Sequence, residues 1–417
     1  MSKRKMKDSG VEWLGEIPAE WGVMRLRFLV DITTGNRDTQ DADPEGEYPF
    51  YVRSPIVQRC NGYTFEGPGI MMAGDGAGAG RIFHLATGRY AVHQRVYRLY
   101  DFKGIDKTFL WYYLGVSFPN EMDKGSAQST VPSVRLPMLQ NLPAVVPALP
   151  VQRKIAAYLD VRCAKIDEMI SDAKKTIEEY KAWKSSVIFE AVTGKNTGAK
   201  MKDSGVDWIG MVPSGWEIVP LRRLGSCVNG ISKGGEFFGS GYPFVSYSDV
   251  YKNDWLPASV KGLVESTPEE RKHYSVREGD VFFTRTSETV DELGMAGACL
   301  KTIPDAVFAG FLIRFRPDTT ELAVEYSKYY FRNVSLRNFF AKETMLVTRA
   351  SLSQDLLRSM MVVVPPRSEQ IAIARFLDKK CAAIDRVISE KESLISDLES
   401  YKKSLIFECV TGKMEVA

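Results

Sequence analysis

MKDSGVEWLGEIPAEWGVMRLRFL, residues 6–29, returns as MKDSGVDWIGMVPSGWEIVPLRRL at residues 201–224, with thirteen of twenty-four positions identical. Residues 143–195 match residues 361–413 in the same way, at 24 of 53 positions, and both copies close on VTGK. The chain is a tandem duplication, and a repeat of this length sets the architecture before any local reading does. The two offsets, 195 and 218, differ by 23 residues. The stretches between the shared blocks, 30–132 and 225–350, therefore differ in length and do not align. One frame carries two divergent inserts.

In the closing block Leu159, Ile166, Ala173, Tyr180 and Val187 fall seven apart, with Cys163, Ile170, Ile177 and Ala191 on a second register. The second copy has Leu377, Ile384, Leu398 and Leu405, with Cys381, Ile388, Ile395 and Cys409. Such spacing writes one apolar seam along a long helix. Lys184, Lys391 and Lys402 interrupt the seams, and Gly194 and Gly412 stand where each helix should stop. A helix of about 40 residues is on the order of 60 Å long at 1.5 Å per residue, a strut more than a core element. Pairing of the two struts as an antiparallel coiled coil is the favoured arrangement. Homodimerisation through each seam and docking of a partner's helices are the alternatives.

The inserts read differently. Short β-branched and aromatic runs at 48–52, 80–84, 96–100, 281–284, 311–315 and 361–364 are punctuated by Gly, Pro and Asp, as in mixed α/β domains with twisted sheets. Segments 106–117 and 321–340 have helical period, each late in its insert, so the inserts can share a fold without alignable sequence. The expected fold class is α+β. It comprises a first mixed α/β domain over 1–150, a helical spacer over 151–200, a second such domain over 201–366 and a second helical region over 367–417.

Composition bounds the chemistry. At 417 residues, 44% hydrophobic and 26% charged, the chain holds two or three ordinary cores and is not a disulfide-stapled miniature. Six scattered cysteines without a CxxC pair read as reduced thiols. The basic start MSKRKMKDSG leads into no apolar run, and the expected location is the cytoplasm. The net charge of +3 announces no nucleic acid. Nor do local balances: thirteen basic against twelve acidic residues over 22–150, and eighteen of each over 217–365. A basic surface has to come from spatial segregation.

Catalytic signatures are missing. No stretch has the GxxxxGK[ST] spacing that cradles phosphates, and GDGAGAGR at 74–81 also fails the dinucleotide spacing. That stretch reads as a close-approach loop ending in Arg81. Three histidines, His84, His93 and His273, give little material for acid–base chemistry or metal binding. The tetrapeptide with which adenine methyltransferases hold their target amino group is absent, and the Glu270-Arg271-Lys272 run reads as a solvated face, not a nuclease strand. No cofactor or metal is expected in this chain.

What remains are polar and basic side chains in Gly-rich loops of the inserts. These are Arg53, Arg81, Arg89, His93, Gln94 and Arg95 in the first insert, and Lys233, Thr284, Arg285, Ser287 and Arg349 in the second. Arg reads guanine bidentately and Gln reads adenine, so these types suit base edges. They suit exposed loops equally.

SGVEWLGEIPAEW, its repeat SGVDWIGMVPSGW, the segments QRKIAAYLD and EQIAIARFLD, and the paired VTGK blocks together resemble the specificity subunit of type I restriction-modification enzymes. The resemblance runs the length of the chain. It implies a non-catalytic, DNA-binding subunit in which each target-recognition domain reads one half of a split, asymmetric site. The helical regions would set the gap and dock two methyltransferase subunits, with motor-nuclease subunits completing the restriction complex. Adenosylmethionine, ATP and Mg would belong to those partners. The junction GSAQSTVPS at 125–133 adds Gln128 to the candidates; its counterpart ETMLVTRAS at 343–351 departs from that pattern, Leu346 standing opposite Gln128 and Val131 opposite Arg349. A single-chain nuclease or methyltransferase finds no room beside two repeats. A ligand-binding adaptor that never touches DNA is the other rival.

Overall fold

A computed structural model describes residues 4–125, 132–287, 293–333, 335–336, 339–340 and 350–416. The chain forms two compact units, residues 1–174 with 392–417, and residues 175–391. Each long helix passes from one unit into the other. The first spans Leu149–Thr193 and the second Arg367–Thr411, 45 residues apiece.

In the first unit the early turns of the first helix bury Leu159, Cys163, Ile166 and Ile170 in one core with Leu405, Ile406, Cys409 and Val410 from the end of the second helix. In the second unit the partners exchange roles: Val187, Ala191 and Val192 share a core with Leu377 and Cys381. Within each unit the helices therefore run antiparallel. The seam is deepest near the domains, where Leu159 and Leu377 are fully buried, and Ile166, Ile170, Ile177 and Ile384 nearly so. Tyr180, Ile388, Ile395 and Leu398 are only half-buried.

Two of the lysines that interrupt the heptads have a definite role. Lys184 donates to both carboxylate oxygens of Asp385 at 2.8 Å, and Lys402 donates to those of Asp167 at 2.7 and 2.6 Å. Both are repeat-related: Lys184 corresponds to Lys402 and Asp167 to Asp385. Burial works against the charge on Lys184, but Asp385 and Asp254 outweigh it and hold the ammonium above its ordinary range. The aspartates are about half exposed, so each pair contributes no more than about 1 kcal/mol and acts chiefly on register.

The helices stop where the sequence predicts. Gly194 and Gly412 take left-handed φ values of +74° and +72°, which glycine alone adopts without cost. The second reason is steric. A Cβ on Gly412 would lie 2.5 Å from Pro18 and 2.8 Å from Trp21, and one on Gly194 would strike the rings of Pro213 and Trp216. The closing VTGK of each helix thus seats against an opening block. The last block of the chain seats against the first opening block, which explains why the two motifs travel together.

The inserts share a fold. In the first, strands Asp31–Thr34, Val96–Tyr100, Gly69–Ala73 and Phe83–Ala86 form an antiparallel sheet in that order. In the second, Gly225–Asn229, Leu312–Pro317, Val281–Thr284 and Ala296–Ala298 do the same. A second sheet in each contains one parallel pair, Tyr48–Tyr51 with Arg89–Val92, and Phe238–Val245 with Val307–Phe308. Buried Arg98 and Arg314 occupy equivalent places on the central strands. Arg98 lies over the Phe65 and Tyr100 rings, and Arg314 lies over Phe308. Burial pulls the Arg314 guanidinium down to about 10. Two expectations need correction. The strand expected at 80–84 begins at Phe83, because Gly80 turns with φ +65° close against Phe118 and Met122. The helix expected over 321–340 is continuous only over Val324–Tyr330; parts of the remainder lie outside the described residues.

One device ties each domain to its helix. Gln152, fully buried, accepts from the Asp106 N–H at 2.6 Å and donates to the carbonyls of Pro147 and Gly104 at 2.7 and 3.1 Å. Gln370 repeats this with the Ala323 N–H and the Glu321 and Pro365 carbonyls at 2.7–2.8 Å. Beside them Tyr112 donates to Asp160 and Tyr329 to Asp378.

Candidate nucleic-acid interface

Much of the first domain's candidate set converges on one turn. Strand Arg89–Val92 ends at His93, and the chain reverses through Gln94 and Arg95 into Val96–Tyr100. The reversal is held by Val96 N–H to His93 O at 2.9 Å and Gln94 N–H to Arg37 O at 2.8 Å. Facing it is the glycine-rich loop after Gly69–Ala73, where Gly74 N–H donates to Arg95 O at 2.9 Å. Asp75 in that loop receives Nη1 of Arg53 at 2.8 Å and Nη1 of Arg95 at 2.7 Å. Partial burial raises the Asp75 carboxyl, but Arg95 and Arg53 outweigh it and hold it below the usual carboxylate range.

The other first-domain candidates fall into place around this cluster or away from it. Gln94 is exposed and its amide donates to Asp38 at 2.9 Å. Arg81 is exposed in the turn that closes the same glycine-rich loop, its N–H bonded to Gly78 O at 3.0 Å. His93 is withdrawn from the surface, 2% exposed. Its Nδ1 accepts from the Arg95 N–H at 3.0 Å, and burial, with Arg53 nearby, lowers its pKa despite Asp38. It shapes the turn and is not available to a ligand. Arg89 sits at the far end of its strand, paired with Glu66 at 3.3 Å and stacked 4.8 Å over Tyr63. Gln128 lies outside the described residues.

In the second domain Lys233 bonds Glu270 at 2.8 Å and lies over Phe237. Glu270 also accepts from the Thr267 N–H, completing the capping box of helix Pro268–His273, so the Glu-Arg-Lys run is a helix surface. Thr284 is fully buried, its hydroxyl accepting from the Met295 N–H at 2.8 Å, and is likewise closed to a ligand. Arg285 is half-buried; its N–H donates to Phe311 O at 2.9 Å and its carbonyl accepts from Leu352 N–H at 2.7 Å. Ser287 belongs to strand Thr286–Ser287, which pairs with Ala350–Ser351; its side chain and Arg349 lie outside the described residues.

The sequence places candidates in Gly-rich loops of both inserts but does not single out Asp75, Asp38 or the second domain's equivalent turn at Phe311. Glycines around Asp75 mark a loop, yet nothing local says which cations face it. Phe311, 64% exposed, is apolar and falls outside any search for polar readers.

No group of His, Cys, Asp and Glu among the described residues is arranged to hold a metal. No helix among them is long and apolar enough to cross a membrane. All six cysteines are unpaired, and five are buried. The site offers hydrogen-bond donors in fixed positions.

The pattern described as "Type I restriction modification DNA specificity domain" matches twice, over residues 18–179 and 213–393. The chain is 22% identical over 417 residues to the type I restriction enzyme MjaVIII specificity subunit of Methanocaldococcus jannaschii, covering 96% of this chain and 94% of that one. It is 25% identical over 183 residues to the EcoDI specificity subunit of Escherichia coli and 22% over 302 residues to the EcoKI subunit. These alignments span 40% and 63% of the two Escherichia coli subunits. A chain from a solved structure of type I R-M complex assembly shares the fold at a TM-score of 0.70, with 15% identity, over 95% of this chain and 99% of that one.

Proposed function

We propose, from the premise that this chain belongs to the type I restriction modification DNA specificity family, that it reads a split, asymmetric DNA site with one half per recognition domain. The paired helices fix the gap between the halves and dock two methyltransferase subunits. Motor-nuclease subunits complete a restriction complex in the cytoplasm. The chain itself is non-catalytic, and adenosylmethionine, ATP and Mg belong to the partners.

One observation carries this reading. The same sheet order and turn occur twice on a common helical frame, while the side chains presented at the turn differ. A repeated scaffold with unlike tips suits an asymmetric site and a nearly two-fold set of partners. The near-neutral charge is compatible with this if the partner subunits supply much of the phosphate contact.

Arg285 provides the test. In a gel shift with the chain assembled on its methyltransferase partner, Arg285→Ala weakens binding by about 1–3 kcal/mol and relaxes one base preference, if the guanidinium reads a base edge. Equal loss on every duplex makes it a phosphate contact. Absence of any DNA complex in the assembled wild type would favour the adaptor reading instead.

A further inference from the structure

Backbone hydrogen bonds align the two recognition domains residue by residue where their sequences do not. His93 N–H donates to Tyr51 O as Ala309 N–H does to Val245 O, at 2.9 and 3.0 Å. Gly74 N–H donates to Arg95 O as Arg285 N–H does to Phe311 O, both at 2.9 Å. Val134 N–H reaches Gly74 O as Leu352 N–H reaches Arg285 O, both at 2.7 Å. Asp75 bridges Ser133, and Thr286 pairs with Ser351. Counted from these anchors, Arg53, Asp75 and Arg95 correspond to Tyr247, Thr286 and Phe311. A charged triad in one domain stands where the other carries two aromatic residues and a hydroxyl.

The triad has the form of a buttressed pair. Asp75, whose side chain is 18% exposed, takes one Nη1 from each arginine. The arginine side chains remain 40% and 61% exposed. A guanidinium has five N–H donors in a rigid fork, so one bond to Asp75 fixes its plane and leaves an edge to bind with. Fixing it removes rotamer freedom before any ligand arrives. The shared carboxylate also cancels one of the two positive charges, which weakens indiscriminate attraction to phosphate. Fixed planar forks with reduced phosphate pull favour a base edge with two acceptors, and in the major groove that is O6 and N7 of guanine.

We propose that Arg53, Asp75 and Arg95 form a guanine-reading element in the first domain. Asp75 is the positioning residue, and the second domain reads its half-site without such an element. Arg285, one residue before Thr286, has no carboxylate at the Asp75 position beside it. The proposal rests on the DNA-reading role given above.

The experiment uses the full chain assembled with its methyltransferase partner and competitor duplexes carrying 7-deazaguanine, which lacks N7, at single positions of the recognised site. In the wild type at least one guanine of one half-site costs tenfold or more in affinity when so replaced. Arg95→Lys keeps the charge and loses the fork, on a side chain exposed enough for folding to be unaffected. It abolishes that penalty without altering the preferences of the other half. Asp75→Asn reduces the penalty about tenfold, strengthens binding to unrelated DNA and steepens its salt dependence. If Asp75 were merely structural, Asp75→Asn would weaken all duplexes alike and leave the 7-deazaguanine penalty intact, overturning the proposal. So would a half-site governed by the first domain that contains no guanine, while the DNA-reading role would then stand. A complex with no sequence preference at all would remove both.

Discussion

Replacing Gln152 or Gln370 with Leu lowers the stability of the unit that holds it by about 3–5 kcal/mol. Leu approximates the volume but supplies none of the bonds. Each substitution strips one N–H and two carbonyls of their partner. An unsatisfied buried polar group costs about 1–3 kcal/mol, discounted here because some of these carbonyls are only partly buried. Urea unfolding followed by hydrogen exchange separates the units: Gln152→Leu deprotects the Asp106 amide, and Gln370→Leu the Ala323 amide. A loss below about 1 kcal/mol would mean that water replaces the amide and that the glutamine does not tie domain to helix.

Removing one heptad from each long helix, residues 172–178 and 391–397, shortens the preferred gap in the DNA site by about three base pairs. Seven residues at 1.5 Å are about 10 Å, and the duplex rises about 3.4 Å per base pair. Whole heptads preserve the seam register, so both half-sequences stay the same. Methylation mapping of the variant complex reads the gap and the halves together. A change in either half-sequence with the gap intact would break the division between frame and readers.

How much of this was legible beforehand depended on distance along the chain. The duplication, the heptad seams and the glycine stops are patterns in the sequence itself; Gly194 and Gly412 follow the ends of the two long helices, while Tyr180, Ile388, Ile395 and Leu398 on the seams are only half-buried. Lys184 and Lys402 looked like defects because a heptad reading scores one helix at a time. Their partners Asp385 and Asp167 lie 201 and 235 residues away. Asp75 escaped for the same reason, its arginines being 22 and 20 residues distant across a turn. His93 and Thr284 have suitable chemistry for base contacts, but burial, which residue type alone does not reveal, removes them. Gln152 and Gln370 were identical in the repeat alignment, yet only the backbone groups around them explain why.

The same limit shaped the comparison of the inserts. Their shared sheet order rests on backbone pairing, so Val96–Tyr100 and Leu312–Pro317 serve as equivalent central strands without alignable side chains. At the turn those strands support, Arg95 of the first domain corresponds to Phe311 of the second.

The most direct test of the central claim is long-read sequencing of adenine methylation in the source strain with this gene intact and deleted. A split methylated motif disappears on deletion and returns when the gene is restored. A split motif that persists unchanged without the gene would contradict that claim.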